Sequence, residues 1–298
     1  MPAARGRGAS RVTPDVHTAQ GSAPGYRAGA TLPLRVELVR QLRRRRTVLA
    51  LGLLVLLPLL LWLAFEIGRD EQDRDGATLV DLATASGSNF VVFTLFSSVG
   101  FLLVVVVALF FGDTVASEAS WSSLRYLLAA PVPRGRLLRQ KAVVAALLSA
   151  FALVLLLAVA MSVGVVAYGA GDLVSPTGQS LAFRPAASRL ALVPVYLVLH
   201  LAWVAGLALL LSVTTDAPLG AVGGAVMVSI LSQILETIDA LGELRDFLPT
   251  QFSSAWVDLL AVPVDWNQLA SGAFSGLAYA TVFGLVAWWR FATKDITS

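Results

Sequence analysis

The sequence predicts an all-α polytopic membrane protein of six transmembrane helices, on three observations. The 298 residues are 57% hydrophobic and only 14% charged, with a mean hydropathy of +0.76, too apolar for a soluble globule of this length. Six stretches, about 47–67, 90–111, 142–168, 190–211, 217–238 and 270–289, run uncharged through their middles. Each has the roughly 20 residues needed to cross roughly 30 Å of hydrocarbon. Lipid offers no partner to a backbone N–H or C=O, so these stretches must satisfy their own polar groups as helices.

The segments between the spans complete the pattern. Residues 1–30 are Gly, Ala, Ser, Pro and Arg with hardly any large apolar group, too little to offset the entropy of ordering, and are expected to be a disordered tail. One membrane domain follows, from 31 to 298. At its start Leu34, Leu38 and Leu42, with Val39, recur at three- and four-residue spacing beside Arg35, Arg40 and the run Arg43–Arg46. A leucine stripe with an arginine face predicts a helix lying in the membrane interface, where the run alone would serve only to stop and orient the chain. The first apolar run follows 46 residues of chain and lasts about 20, longer than a signal-peptide core, so it is expected to be retained. Within it Pro58 lies deep enough to predict a kink, whereas Pro218 sits at the start of the fifth span, where the lost N–H had no partner.

Lys and Arg distribution sets the expected orientation. Ten lie in the N-terminal stretch to Arg46, five in 112–141, none in 212–216 and two from Arg290 onward, so one side carries 17 of the 22. Positive residues stay in the cytoplasm, which places both termini and the 112–141 loop inside a cell membrane crossed six times. The acidic cluster Asp70, Glu71, Asp73 and Asp75 then falls outside. The pI of about 9.6 does not indicate nucleic acid, because the basic groups adjoin the spans, where they meet anionic lipid headgroups. With no cysteine there is no disulfide, thiolate metal site or cysteine nucleophile.

Two loops stand out. Between the second and third spans, Glu118, Trp121, Leu124, Leu127 and Leu128 recur at helical spacing, Pro131 and Pro133 end the helix, and Arg134, Arg136, Arg139 and Lys141 form a basic stem. A short helix beside the membrane, a proline elbow and a stem are expected there, although any cytoplasmic connector carries some basic residues. The loop 239–269 holds Leu241, Phe247, Leu248, Trp256, Leu259, Leu260 and Trp266, divided by Pro249 and Pro263. It is too apolar for water and too broken to span, so short re-entrant helices are expected, with Trp256 and Trp266 at headgroup level.

The order Glu118, Leu124, Leu127-Leu128, Pro131 and Arg134 resembles the motif of type-2 ABC transporter permeases, in which it lies between the second and third spans. An interfacial helix before the first span, six spans with both ends inside and the final Arg290-Phe291 with Lys294-Asp295-Ile296 agree with it over about 31–298. Ser122-Ser123 departs from the Gly-Thr frequent there. The resemblance implies that 118–134 holds a coupling helix docking on an ATP-binding subunit. Its coupling residues would be Glu118, Trp121, Leu124, Arg125, Leu128 and Arg134, Arg125 the weaker choice. It further implies an exporter built from two permease subunits, identical or homologous, and two ATPase subunits. No G-x-x-x-x-G-K-[ST] string occurs, so ATP and Mg are expected in the partner and no cofactor or catalysis in this chain.

Other classes fit less well. With only His17 and His200 there is no H-E-x-x-H metalloprotease site, and the Gly-x-Ser-Gly of an intramembrane serine protease is missing. An ion-coupled carrier would want mid-span carboxylates and internal repeats, and neither is seen; a non-transporting scaffold is the remaining alternative. His200, alone in its span, reads either as functional or, more simply, as a neutral histidine hydrogen-bonded to a neighbouring helix. Glu236 either lines an exit or reaches water, and the substrate is left open.

Overall fold

The computed structural model describes residues 33–72, 79–120, 133–175 and 178–293. Its long elements are α1 (Leu34–Leu42), α2 (Arg45–Gln72), α3 (Leu79–Thr84), α4 (Gly87–Val99), α5 (Leu102–Ser120) and α6 (Arg134–Tyr168). After α6 come a small hairpin of β1 (Leu173–Val174) and β2 (Ser180–Leu181), then α7 (Phe183–Leu190), α8 (Val193–His200), α9 (Ala202–Thr214), α10 (Pro218–Glu236) and α11 (Trp266–Thr293). Two 3₁₀ segments, Asp239–Phe247 and Ala255–Leu259, link α10 to α11. Among the described residues five spans are long and apolar enough to cross a membrane, and the bent pair α4 and α5 makes up to six.

Local chemistry sets the boundaries. Pro133 and Pro218 begin α6 and α10, their fixed φ suiting a helix start. Gly169, at φ 79°, ends α6 in the left-handed region that favours glycine. The Ser86 hydroxyl accepts the N–H of Asn89 and caps α4. Pro58 lies inside α2, which runs through it as one helix. The sharp bend falls instead where the sequence reading had one span, 90–111. There α4 and α5 meet at 53° across Gly100 and Phe101, with no proline. A polar contact from another helix attends the break: the Gln233 side-chain amide, on α10, donates to the Gly100 carbonyl at 2.7 Å. The fourth span is likewise segmented, as α7, α8 and α9 in close succession.

That segmented span is the axis of the bundle. In its most apolar window 67% of residues are buried, against 17–39% for the four other unbroken spans. On it α9 packs against α5, α10 and α11, while α6 joins α2 and α4 to α5. Small residues permit the close crossings. A Cβ on Gly276 of α11 would run into the Leu199 carbonyl oxygen, and one on Gly87 of α4 or Gly164 of α6 would stand 2.7–2.8 Å from the other's backbone. The outward sides of α2 and α11 present Leu53, Leu60, Leu63, Leu285 and Trp289, the lipid-facing surface of a membrane bundle.

At the end opposite α1, the Asn89 side chain fastens the hairpin to α4. Its amide donates to the Val174 carbonyl at 2.7 Å and its oxygen accepts the Val174 N–H at 2.9 Å. Here one expectation is corrected. Trp256 is not presented to the headgroups: it is 1% exposed, packed on Phe96 with ring centroids 4.8 Å apart, so the segment folds back onto the protein. Trp266, by contrast, is exposed.

Candidate functional site

At the other end, α1, the start of α2, the end of α5 and the start of α6 converge on a network of charges. Glu118, in the last turn of α5, is buried, and its Oε1 accepts the Lys141 ammonium of α6 at 2.5 Å. Lys141 is buried too, its side chain 5% exposed. Arg40 of α1 reaches the same Glu118 oxygen at 3.4 Å and the Glu37 carboxylate at 2.8 Å, and the Gln41 side-chain amide donates to Glu37 at 3.2 Å. One turn earlier on α5, Asp113 accepts Arg44 at 3.0 Å and also pairs with Arg46. The space left among Gln41, Arg46, Asp113 and Lys141 is about 20 Å³, room for about one water.

The local sequence explains the convergence. The arginine run that turns α1 into α2 supplies two cations facing the only described carboxylates in that part of α5, Asp113 and Glu118. Removing both charges of such a pair from water costs several kcal/mol per ion, so neither partner can be left alone without penalty. Burial pushes the Glu37 carboxyl up, but the Arg40 hydrogen bond, the Lys141 and Arg40 charges and the Gln41 amide together hold it below its ordinary value. The face of α1 that packs inward is thus Glu37 and Gln41, with Leu38 and Leu42 partly buried beside them, while Leu34 and Val39 are exposed. The helix that the sequence led one to expect thus packs a polar seam against the bundle.

Further polar ties fix α5. Ser212 of α9 accepts the backbone N–H groups of both Val115 and Ala116 at 3.0 Å, a foothold inside the helix itself. Arg134, at the start of α6, donates to the Ala292 carbonyl of α11 at 3.1 Å, and Gly135 beside it lies against the Trp288 ring.

Of the residues expected to couple, the structure brings Glu118 and Arg134 to the same end of the bundle on different partners. Trp121, Leu124, Arg125 and Leu128 lie outside the described residues, as do residues 1–30, Pro131 and the terminal 294–296. Glu118 is no surface contact: it is enclosed between α1, α5 and α6. The sequence reading missed Asp113, Glu37 and Gln41 as members of this network and gave Lys141 only a place in a basic stem. The available signal was the proximity of two carboxylates to the end of an arginine-flanked span, which hydropathy does not weigh.

The other two singled-out groups lie elsewhere. His200 is buried, its ring stacked on Tyr196 at 5.8 Å and bonded to the Gly272 backbone of α11. Glu236 is half-buried at the far end of α10, beside Arg245 and Thr250.

The arrangement ties α1, α2, α5 and α6 together, with three carboxylates set among four cations. A family model described as ABC-2 family transporter protein matches residues 34–215, well over half of the chain and the whole of this network. No curated relative matches. The polytopic helical bundle and that match together place the chain in the ABC-2 transporter family, as a transmembrane component of an ABC transporter.

Proposed function

We propose that the chain is the permease subunit of an exporter in the cell membrane, with both termini cytoplasmic. It pairs with a second permease, identical or homologous, and with separate subunits that bind ATP and Mg. In this reading, closure of the ATPase subunits presses on 118–134, and the push reaches the bundle through the Glu118 network rather than through Glu118 touching the partner. Trp121, Leu124, Arg125 and Leu128 carry the docking, and Arg134 relays it to α11. The observation that carries the reading is the buried Glu118–Lys141 pair. It fastens the helix entering the loop to the helix leaving it, so a displacement of the loop moves α5 and α6 together. The positive end of the bundle, rich in Arg35–Arg46 and Arg134–Lys141, supports the cytoplasmic assignment.

The test is purification of the tagged chain in mild detergent, with mass spectrometry and an ATPase assay. A P-loop subunit present one-to-one and hydrolysing ATP supports the assembly. Glu118→Lys would set two ammonium groups in one buried site and confound folding with coupling, so Glu118→Gln is the cleaner change. It should leave the assembly intact and lower its ATPase stimulation. A folded, monodisperse chain with no ATPase partner would overturn the proposal in favour of a carrier or scaffold.

A further inference from the structure

The end of the bundle opposite the charge network holds a cavity of about 630 Å³, unrelated to that network and in the range of small-molecule sites. Four elements wall it: α3, α4, the hairpin and the segment 257–262. Its lining is apolar, with Leu82, Val92, Phe93, Phe96, Leu181 and Val262 among the contributors. Phe96 and Val262 are 53% and 58% exposed, so part of the apolar lining is open to the surroundings. Most polar atoms at the rim already have work within the fold. Asn89 holds the hairpin, and the Ser175 N–H is given to the Gln179 carbonyl.

One lining group is different. Among the described residues that wall the cavity, Asp258 is the only ionisable one. Arg189 of α7 donates to the Leu259 and Ala261 carbonyls at 3.4 and 2.8 Å and so braces the loop that carries Asp258. Asp265 adds a second negative charge nearby, and burial together with that neighbour raises the Asp258 carboxyl above its ordinary value. A hydrocarbon-lined hollow whose edge carries a carboxylate that no described cation pairs with is complementary to a molecule with an apolar body and one positive charge.

We propose that this cavity is a binding site for a cationic amphiphile: the alkyl or aromatic body lies between α3, α4 and the hairpin, and its ammonium group meets Asp258. The chemistry is shared by amine-headed membrane lipids and by soluble alkylammonium compounds. The site belongs to the isolated chain and does not depend on the coupling reading.

The chain has no cysteine, which gives a direct test. Val92→Cys places one thiol in the cavity wall, and Leu260→Cys, on the opposite wall, serves if the first variant does not fold. The purified protein in nanodiscs is reacted with trimethylammonium-ethyl and with sulfonato-ethyl methanethiosulfonate. The expected ratio of cationic to anionic rate, normalised to free thiol, is about tenfold or more, as one negative charge in the same cavity supplies at an intermediate dielectric. Asp258→Asn should collapse that ratio, while the ratio at an exposed Ser188→Cys should not change. Decyltrimethylammonium should slow the Val92→Cys reaction saturably, and decyl sulfate should not. Protection by phosphatidylethanolamine placed in the discs identifies a lipid as the source, and protection only by the added compound identifies a soluble one; either supports the site. A ratio equal to that of free thiol, or equal protection by both charges, overturns it. The readout needs no ATPase subunit, so failure of the permease assembly and failure of this site are separate results.

Discussion

The Glu118–Lys141 pair allows a prediction whose size follows from its burial. Both side chains are more than nine-tenths buried, at 8% and 5% exposure, and 2.5 Å apart. Lys141→Met removes one charge and leaves the Glu118 carboxylate enclosed, with the half-exposed Arg40 at 3.4 Å among the groups that answer it. Breaking a buried pair from one side costs about 3–5 kcal/mol. Arg40, 46% exposed, recovers no more than about 1 kcal/mol of that. The expected loss is therefore about 3 kcal/mol. At about 2–4 °C per kcal/mol for a chain of this order of size, the melting temperature should fall by roughly 6–12 °C. Glu118→Leu alone should cost a similar amount by stranding the ammonium. The double variant Glu118→Leu with Lys141→Met removes both charges and should regain most of the loss, a coupling of about 2 kcal/mol or more in a double-mutant cycle. The measurement is thermal unfolding of the four proteins in the same nanodiscs. If Lys141→Met cost under about 1 kcal/mol, or the two losses simply added, the pair would not be the fastening described here.

Two further predictions test other parts of the fold. A methyl at Gly276 would meet the backbone oxygens of Leu199 and His200 at 2.4 and 2.6 Å, which cannot swing aside as a side chain would. Gly276→Ala should destabilise by about 1–3 kcal/mol, whereas Gly52→Ala, with open space at its Cβ, should be neutral or stabilising by up to about 1 kcal/mol. Equal effects at the two positions would contradict the close crossing of α8 and α11. The second concerns acid. Glu37 is held below its ordinary value of 4.5 in the fold, so its contribution is present in full above that value and is lost as pH falls through the lower folded value. The melting-temperature advantage of the natural chain over Glu37→Gln should thus be constant near neutrality and shrink on acidification below about 4.5; an advantage unchanged down to pH 3 would exclude the depressed carboxyl.

How much of this was legible in the sequence depends on which force set each feature. The spans were legible because hydrocarbon imposes one constraint on every residue of a helix, and a run such as Leu49–Leu63 reports it repeatedly. The bend at Gly100 was not. It follows from packing against α10 and from Gln233 meeting the Gly100 carbonyl, 133 positions away in the chain. Pro58 marks a place where one backbone hydrogen bond of α2 is missing, and the helix runs on through it. Trp256 was assigned to the headgroups because tryptophan prefers them, but its ring found Phe96, a tertiary contact that propensity does not encode. In the site, Glu118 was legible through its motif. Asp113 has no motif, and its meaning comes only from Arg44 and Arg46 arriving opposite it.

These polar ties also bear on how α5 can move. Apolar contacts between membrane helices are non-directional and change gradually as helices slide or rotate. The contacts of α5 with Arg44 and Arg46, with Lys141 and with Ser212 are different, because a hydrogen bond or buried ion pair holds only within narrow limits of distance and angle. A rotation of α5 by a fraction of a turn would carry Asp113 and Glu118 away from their cations together and release the Val115 and Ala116 N–H groups from Ser212. Intermediate positions would leave several buried groups unmatched at once, each costly. The helix therefore has a strong preference for discrete arrangements over a continuum, the property required of an element that passes a stepwise displacement from one end of a bundle to its centre. The 53° break at Gly100 marks where such a displacement would stop being that of a rigid body: α5 can tilt as a unit, while α4, fastened through Asn89 to the hairpin, stays with the opposite end.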